Sequence, residues 1–188
     1  MSTLSTIKNS QPARAGGAAV IDMCVLRNAL IAGDRGAIES LVAGTGFFHP
    51  AEVAVAVELV DERLARGPAS GYEFLLAELD GEVIGYACYG PIACTTGSYD
   101  LFWIAVDARF QRHGVGRLLM RAAETEVARL GGRRIYIDTS GKPQYEPTRA
   151  FYERNGFVCE ARLVDFYAPG DDRVIFVNTL LSESNGDA

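Results

Sequence analysis

The residues best suited to chemistry form a glycine-rich loop that leads into a predicted helix. The loop consists of Gln111, Arg112, His113, Gly114, Val115, Gly116 and Arg117. The first N–H groups of a helix have no intrahelical partner and lie at the positive end of its dipole, so they bind anions. Gly114 and Gly116 lack a Cβ, which lets a phosphate approach the backbone, while Arg112 and Arg117 add positive charge and Arg109 is a third candidate for this role. The loop therefore predicts a pyrophosphate site; the alternative is that the two glycines only form a tight turn between strand and helix.

The spacing of these glycines excludes two common nucleotide loops. The chain contains no G-x-x-x-x-G-K-[ST] sequence, and the two glycines do not continue into G-x-G-x-x-G. A kinase-like nucleotide site and a Rossmann dinucleotide site therefore lose support.

The loop is positioned by a strand before it and a helix after it. Residues 99–106 are aromatic and β-branched without a breaker, which is typical of a buried strand, and apolar residues recur at helical spacing over 115–130. Hairpins are predicted at 72–89, where Asp80-Gly81 forms the turn, and at 157–180. A strand at 134–139, a helix at 147–155 and two earlier helices near 34–42 and 50–64 complete the pattern.

Two motifs resemble those of the GNAT superfamily of acetyl-CoA-dependent N-acetyltransferases. The first is Q-x-x-G-x-G, placed after W-I-A-V-D and before G-R-L-L. The second is the aromatic pair Phe151-Tyr152, which precedes a helix-ending Gly156. The resemblance covers about residues 22–181. It implies an α/β fold of the α+β type, with a mixed, mostly antiparallel sheet of about six to seven strands, splayed between strands 4 and 5 and flanked by about four helices.

The resemblance also implies how acetyl-CoA would bind as co-substrate. The pantetheine arm would enter the splayed gap and bond the backbone of Ile104, Ala105 and Val106, while the pyrophosphate would lie on residues 111–117. Thr148, Phe151 and Tyr152 would line the arm. Thr148 stands near the place where many members have an Asn, so it is expected to supply a hydroxyl or to cap the helix. Phe47 and Phe48 lie in a loop that usually walls the acceptor pocket in this family, although both could be core anchors.

Acetyl transfer to an amine requires a base, an oxyanion donor and a proton for the thiolate. Tyr152 resembles the general acid of the family, although it could simply pack beside Phe151. The Ile104 N–H is the expected oxyanion donor. Asp100 is the first candidate base; it alternates onto the strand face of Phe102 and Ile104, and a possible bulge decides whether it points into the cleft. The rival candidates for the base are Glu52, Tyr99 and Asp138.

These features predict an N-acetyltransferase that moves an acetyl group from acetyl-CoA to a primary amine by direct attack in a ternary complex. The alternative from another class is a non-catalytic acyl-CoA-binding sensor or regulatory module. Within the enzyme interpretation, the acceptor could be a small molecule or a protein amino group. Related folds often dimerise, so a homodimer is possible.

Composition bounds the remaining classes. With 188 residues, 48% of them hydrophobic, the chain suits a single domain, here 22–181, preceded by a disordered tail at 1–21 and followed by a frayed end at 182–188. The net charge of −6 argues against a nucleic-acid partner. The four cysteines and two histidines show no metal-ligand spacing. The absence of a membrane-length apolar run or a signal peptide predicts a cytoplasmic protein without a membrane partner.

Overall fold

The computed structural model describes residues 17–180 and shows one seven-stranded sheet with five helices. The strands are β1 (Val25–Arg27), β2 (Glu73–Leu79), β3 (Glu82–Pro91), β4 (Ser98–Val106), β5 (Arg134–Ser140), β6 (Val158–Ala168) and β7 (Asp171–Thr179). The helices are α1 (Gly17–Met23), α2 (Asp34–Gly44), α3 (Pro50–Arg66), α4 (Val115–Arg129) and α5 (Glu146–Arg154).

The strand order is β1-β2-β3-β4-β5-β7-β6, and every neighbouring pair is antiparallel except β4 and β5. The parallel pairing joins only Ser98–Asp100 to Arg134–Tyr136. Beyond Asp100 the two strands separate, so the rest of β4 has no strand beside it on that edge. The predicted mixed sheet, splayed between strands 4 and 5, is confirmed.

The two faces of the sheet carry separate cores. The front face, as we name it, is covered over β2, β3 and β4 by α2 and α3, and this core includes Leu76, Tyr86 and Ala105. The back face carries α4 and α5, and its core includes Leu119, Tyr152 and Phe176. Apolar residues at helical spacing on α4 and at alternate positions on the strands produce this division.

A β-bulge divides β4 into two parts. Cys88 of β3 pairs with Trp103, but the next residue, Tyr89, pairs with Leu101, so Phe102 is the extra residue. Leu101 belongs to the back core, and Ile104 packs against that same core. Asp100 precedes Leu101 and therefore lies on the front face. The prediction that Asp100 and Ile104 share a face is wrong, because the extra residue reverses the alternation between them.

Helix α1 differs from the predicted disordered tail. Residues 1–16 and 181–188 lie outside the described residues, but 17–21 fall within α1, and Val20 is buried in the back core. Val20 packs in the back core, but a seven-residue segment is too short to carry a periodic signal in the sequence. This helix also accounts for five helices where about four were predicted.

Candidate active site

The glycine loop presents four free backbone donors at the start of α4. Gly114 is the N-cap residue and has a left-handed conformation, with φ of 88°. The first backbone bond of the helix runs from the Leu118 N–H to the Gly114 carbonyl, at 2.9 Å. Among the described residues, no carbonyl accepts the N–H groups of residues 114–117. The sequence folds in this way because glycine reaches positive φ without strain.

Two arginines of the loop are available for an anion, whereas a third is not. Arg112 and Arg117 are exposed, and no carboxylate within residues 17–180 lies within 4.0 Å of either. Arg109, by contrast, forms ion pairs with Asp107 and Glu82. The two unpaired guanidinium groups and the four free N–H groups together favour a doubly charged anion such as a pyrophosphate.

The polar side chains of Gln111 and His113 contact the protein itself. Gln111 donates its side-chain amide to the Val106 carbonyl at 3.2 Å, which ties the loop to the end of β4. The Nδ1 atom of His113 lies 2.8 Å from the Gln111 carbonyl. These two side chains therefore shape the loop, and its candidate anion donors are the backbone N–H groups together with Arg112 and Arg117.

The open edge of β4 presents the backbone of Ile104 and Val106 to the gap. The Asp107 N–H bonds the Ile84 carbonyl of β3 at 2.9 Å. Successive residues of a strand alternate their polar groups between its two edges, so Ala105 also bonds toward β3. The structure therefore differs from the prediction for Ala105, whose methyl group also faces the front core with 5% exposure.

The opposite wall of the gap is the start of α5. A Cβ built on Gly116 would lie 3.4 Å from Cζ of Phe151 and 3.7 Å from Val106, so loop, strand and helix converge there. Thr148 is half-buried in the first turn of α5, where Tyr145 is the N-cap residue without a side-chain cap. The alternative that Thr148 caps this helix is wrong, because the helix begins at Glu146.

Tyr152 lies in the aromatic centre of the back core. Its ring centroid is 5.7 Å from that of Phe151, 6.2 Å from Phe157 and 5.6 Å from Phe176, and the residue is 6% exposed. Burial raises the pKa of the Tyr152 phenol above its ordinary value. Tyr152 therefore packs beside Phe151, as one interpretation predicted, and it is also protonated at neutral pH, as a general acid must be.

Asp100 is a half-buried carboxylate on the front face. Burial raises the pKa of Asp100, the nearby charge of Asp138 raises it further, and Arg173 opposes the shift. Within the described part of the chain no cationic group lies within 4.0 Å of Asp100. Asp138, by contrast, forms an ion pair with Arg173. A desolvated acid without a counter-ion is suited to accept a proton.

The other candidate bases have structural partners. Glu52 accepts the backbone N–H of His49 at 2.8 Å in a capping box at the start of α3. Tyr99 is 8% exposed and belongs to the back core. The geometry therefore favours Asp100 among the four candidates.

Aromatic contacts of the loop between α2 and α3 were only partly predicted. Phe48 packs edge-on against Trp103 at 4.8 Å, and Phe47 lies 6.3 Å from Tyr145. The sequence indicated Phe47 and Phe48 but neither Trp103 nor Tyr145. Tyr145 could have been predicted from its position immediately before the helix that borders the gap. The face on which Trp103 lies depends on the bulge at Phe102, which the sequence does not reveal.

Metal clusters and membrane-spanning helices are both absent from the described residues. Residues 17–180 hold no group of three or more His, Cys, Asp or Glu side chains placed to bind a metal ion. In the same range, no helix combines the length and hydropathy needed to cross a membrane.

Comparisons with known proteins agree with this geometry. A crystal structure of a GNAT-family protein from Desulfovibrio desulfuricans is 45% identical, with a TM-score of 0.83, covering 84% of this chain and 99% of that one. A ribosomal-protein-S18-alanine N-acetyltransferase from Escherichia coli shares the fold at 18% identity, with a TM-score of 0.69 and coverage of 88% and 99%. An aminoglycoside 6'-N-acetyltransferase complexed with coenzyme A does so at 16%, with a TM-score of 0.67 and coverage of 84% and 97%.

A comparison with curated proteins gives no match. The model of the acetyltransferase (GNAT) family, however, matches residues 35–157. That range runs from α2 through the splayed strand and the glycine loop to the aromatic pair of α5. The chain therefore belongs to the acetyltransferase (GNAT) family.

Proposed function

We propose that this acetyltransferase moves an acetyl group from acetyl-CoA to a primary amine by direct attack in a ternary complex. The observation that carries the proposal is the open edge of β4, which meets the free N–H groups of α4 at one end of the gap. The pantetheine arm of the coenzyme is extended, carries amides and ends in a pyrophosphate, so it matches the order of donors and acceptors along this edge. The solved relative complexed with coenzyme A supports the same donor.

The coenzyme would be held mainly by the backbone. The pyrophosphate would accept the N–H groups of residues 114–117, with Arg112 and Arg117 beside it, and the pantetheine amides would pair with Ile104 and Val106. Phe151 and Thr148 would line the arm on the side of α5. Bound in this way, the coenzyme supplies an activated acetyl thioester to the middle of the gap.

The protein would then provide three groups for the transfer. A base takes a proton from the ammonium so that the neutral amine attacks the thioester carbonyl and a C–N bond forms. The Ile104 N–H, which points into the gap, stabilises the negative charge on the carbonyl oxygen. As the C–S bond breaks, the Tyr152 hydroxyl donates its proton to the thiolate, a role for which its protonated state is required. The excess proton on the attacking nitrogen leaves as the amide forms and passes through water to the Tyr152 phenolate, which restores the acid.

The position of Asp100 indicates an indirect proton transfer. It lies four positions before Ile104, which at about 3.3 Å per residue amounts to roughly 13 Å along a regular strand. The bulge at Phe102 shortens the separation between Asp100 and Ile104. The Asp100 side chain and the bound amine would span part of the remaining distance. We therefore assign Asp100 as a base that acts through a chain of waters.

Substitution of Tyr152 by Phe tests the proposal with minimal change of shape. We expect kcat to fall by about 100-fold, because the thiolate loses its proton donor, while the KM for acetyl-CoA stays within about twofold. Thiol release with a panel of amines, together with mass spectrometry of the acetylated product, measures both quantities. Tyr99→Phe is the matched control, since Tyr99 is another buried tyrosine of the back core.

Two outcomes would contradict different parts of the proposal. An unchanged kcat in Tyr152→Phe refutes the general acid while leaving the enzyme in place. Binding of acetyl-CoA without thiol release for any amine refutes the transferase and favours the non-catalytic sensor.

A further inference from the structure

Helix α1 lies against the glycine loop that precedes α4. A Cβ built on Gly114 would lie 2.3 Å from Cδ1 of Ile21 and 3.2 Å from its Cγ1, and carbon atoms of different residues do not approach as closely as the first of these distances. The Ile21 side chain therefore occupies the space that a side chain at position 114 would need. A Cβ on Gly116, by contrast, would meet its nearest neighbour in the described part of the chain, Phe151, at an ordinary contact distance of 3.4 Å.

Apolar contacts on both sides of Ile21 anchor α1 to the domain. Val20 is 6% exposed and belongs to the back core, as does Val115 in the first turn of α4. Cys24, directly after α1, packs against the same core, and its N–H bonds the Ile21 carbonyl at 3.1 Å. The residues that precede and follow this segment of α1 therefore hold Ile21 in place over the loop.

The backbone conformation of the glycine loop requires contacts from outside. Arg112 has φ of 63° and Gly114 has φ of 88°, so two residues of the loop are left-handed. This conformation is unfavourable for a residue with a Cβ, and a glycine has many other conformations open to it. Such a backbone persists only where neighbouring groups hold it. Gln111 supplies one contact, to the Val106 carbonyl at 3.2 Å, and Ile21 supplies another from a different segment of the chain.

We propose that Ile21 is a positioning residue for the coenzyme: by packing on Gly114 it holds the glycine loop in the conformation that binds the pyrophosphate. This inference rests on the proposed acetyl-CoA site. Ile21 acts through Gly114 and does not touch the reacting atoms, so it contributes to coenzyme affinity and not to the chemical step. A loop that has the binding conformation for only a fraction of the time raises the apparent dissociation constant by the inverse of that fraction.

Replacement of Ile21 by Ala in the full-length protein tests this role. Ile21 is half-buried, so the variant should fold, and we expect it to bind acetyl-CoA at least about fivefold more weakly, with the KM for acetyl-CoA raised to match. The kcat should stay within about twofold of the wild-type value, because the catalytic groups are unchanged. Titration calorimetry measures the affinity without turnover, and thiol release with the best acceptor of the amine panel measures kcat and KM.

Two further variants serve as controls. Met23→Ala, at a 57% exposed position of the same helix, should bind acetyl-CoA as the wild type does. Ile21→Val removes only Cδ1, the atom nearest to the Cβ position of Gly114, and so small a deletion leaves the fold intact. Its affinity should lie between those of the wild type and Ile21→Ala.

A double-mutant cycle tests the contact itself by thermal unfolding. Gly114→Ala should lower the Tm for two reasons: its φ is left-handed, and its Cβ would meet Ile21. The second reason is absent when Ile21 is already Ala, so the same substitution should then lower the Tm by at least about 2 °C less. Equal losses in the two backgrounds would refute the contact.

The remaining outcomes separate this inference from the proposed function. Wild-type affinity for acetyl-CoA in both Ile21→Ala and Ile21→Val would overturn the inference, while thiol release by the wild type would keep the transferase. A reduced kcat at unchanged affinity would also overturn it, because a positioning residue for the coenzyme acts on binding. No binding of acetyl-CoA by the wild type would remove the proposed coenzyme site and this inference together.

Discussion

Replacement of Gly116 by Asp should separate coenzyme binding from folding. Gly116 is the second residue of α4, and a Cβ there would meet Phe151 at 3.4 Å, which is an ordinary contact. A carboxylate in the first turn is favourable for a helix by about 0.3–1 kcal/mol because of the helix dipole. We therefore expect Gly116→Asp to fold with unchanged or higher thermal stability. The same carboxylate would lie where the pyrophosphate is expected to bind.

The size of the effect on binding follows from Coulomb's law. At roughly 5 Å, two like unit charges repel by about 1 kcal/mol at a dielectric constant of ~80 and about 3 kcal/mol at ~20. Each phosphate charge near the new carboxylate thus weakens binding by about 5-fold to 150-fold. A pyrophosphate carries two such charges, and the carboxylate would also compete for the free N–H groups and for Arg112 and Arg117. We expect no binding of acetyl-CoA within the range of titration calorimetry.

Gly116→Asn is the matched control, because its side chain has nearly the same size and no charge. We expect Gly116→Asn to bind acetyl-CoA more weakly than the wild type but measurably, and its difference from Gly116→Asp should shrink as salt screens the repulsion. Thermal unfolding of the three proteins establishes that all are folded. Equal affinities for the Asp and Asn variants would refute the electrostatic reasoning, and wild-type affinity in Gly116→Asp would refute the loop as the pyrophosphate site.

Two further predictions concern pH and stability. The pKa of Asp100 is raised first by burial and then by the negative charge of Asp138. Asp138→Asn removes that charge, so it should lower the pKa of Asp100 and move the acidic limb of the pH profile of kcat to lower pH. An unshifted limb would contradict the assignment of Asp100 as the base. Asp34→Ala should lower the free energy of unfolding by about 3 kcal/mol, because it removes the buried carboxylate that accepts hydrogen bonds from Arg27 and from the Ile31 N–H, and leaves the partly buried Arg27 with Glu78 as its one remaining carboxylate partner among residues 17–180. Asp61→Ala at an exposed pair should cost under about 1 kcal/mol. Burial raises the pKa of Asp34, but the hydrogen bonds from Arg27 and from the Ile31 N–H, together with the charge of Arg27, outweigh burial, so the pKa in the folded protein is lowered. The stabilisation by Asp34 is therefore complete above pH ~4 and is lost as the pH falls further. If the difference in unfolding free energy between wild type and Asp34→Ala stayed constant in denaturant titrations from pH ~7 to ~3, this prediction would be contradicted.

Local signals were sufficient to predict the glycine loop and the helix that follows it. The spacing of Gly114 and Gly116 before an amphipathic helix is a property of adjacent residues, and the structure has the same loop at the start of α4. The aromatic pair at Phe151 is equally local. These features were predictable because a turn with positive φ and a helix start are specified by the residues that form them.

Pairing between strands determined what the sequence did not reveal. Whether Ala105 faces the gap depends on the phase of the hydrogen bonds between β4 and β3, and the side chain of Asp100 depends on the bulge at Phe102. Both are set by residues of β3, the preceding strand in the chain. The contact of Phe48 with Trp103 is still more distant in sequence. Alternation along one strand contains none of this information.

The bulge and the acid at position 100 depend on each other. If β4 continued without the extra residue, the alternation that places Ile104 against the back core would place Asp100 there as well. An unpaired carboxylate in that core would cost several kcal/mol or become neutral. With Phe102 inserted, the chain has the Ile104 side chain behind the sheet, its N–H in the gap and Asp100 in front. One irregular residue thus allows a single strand to present open backbone groups in the gap and a carboxylate on the front face.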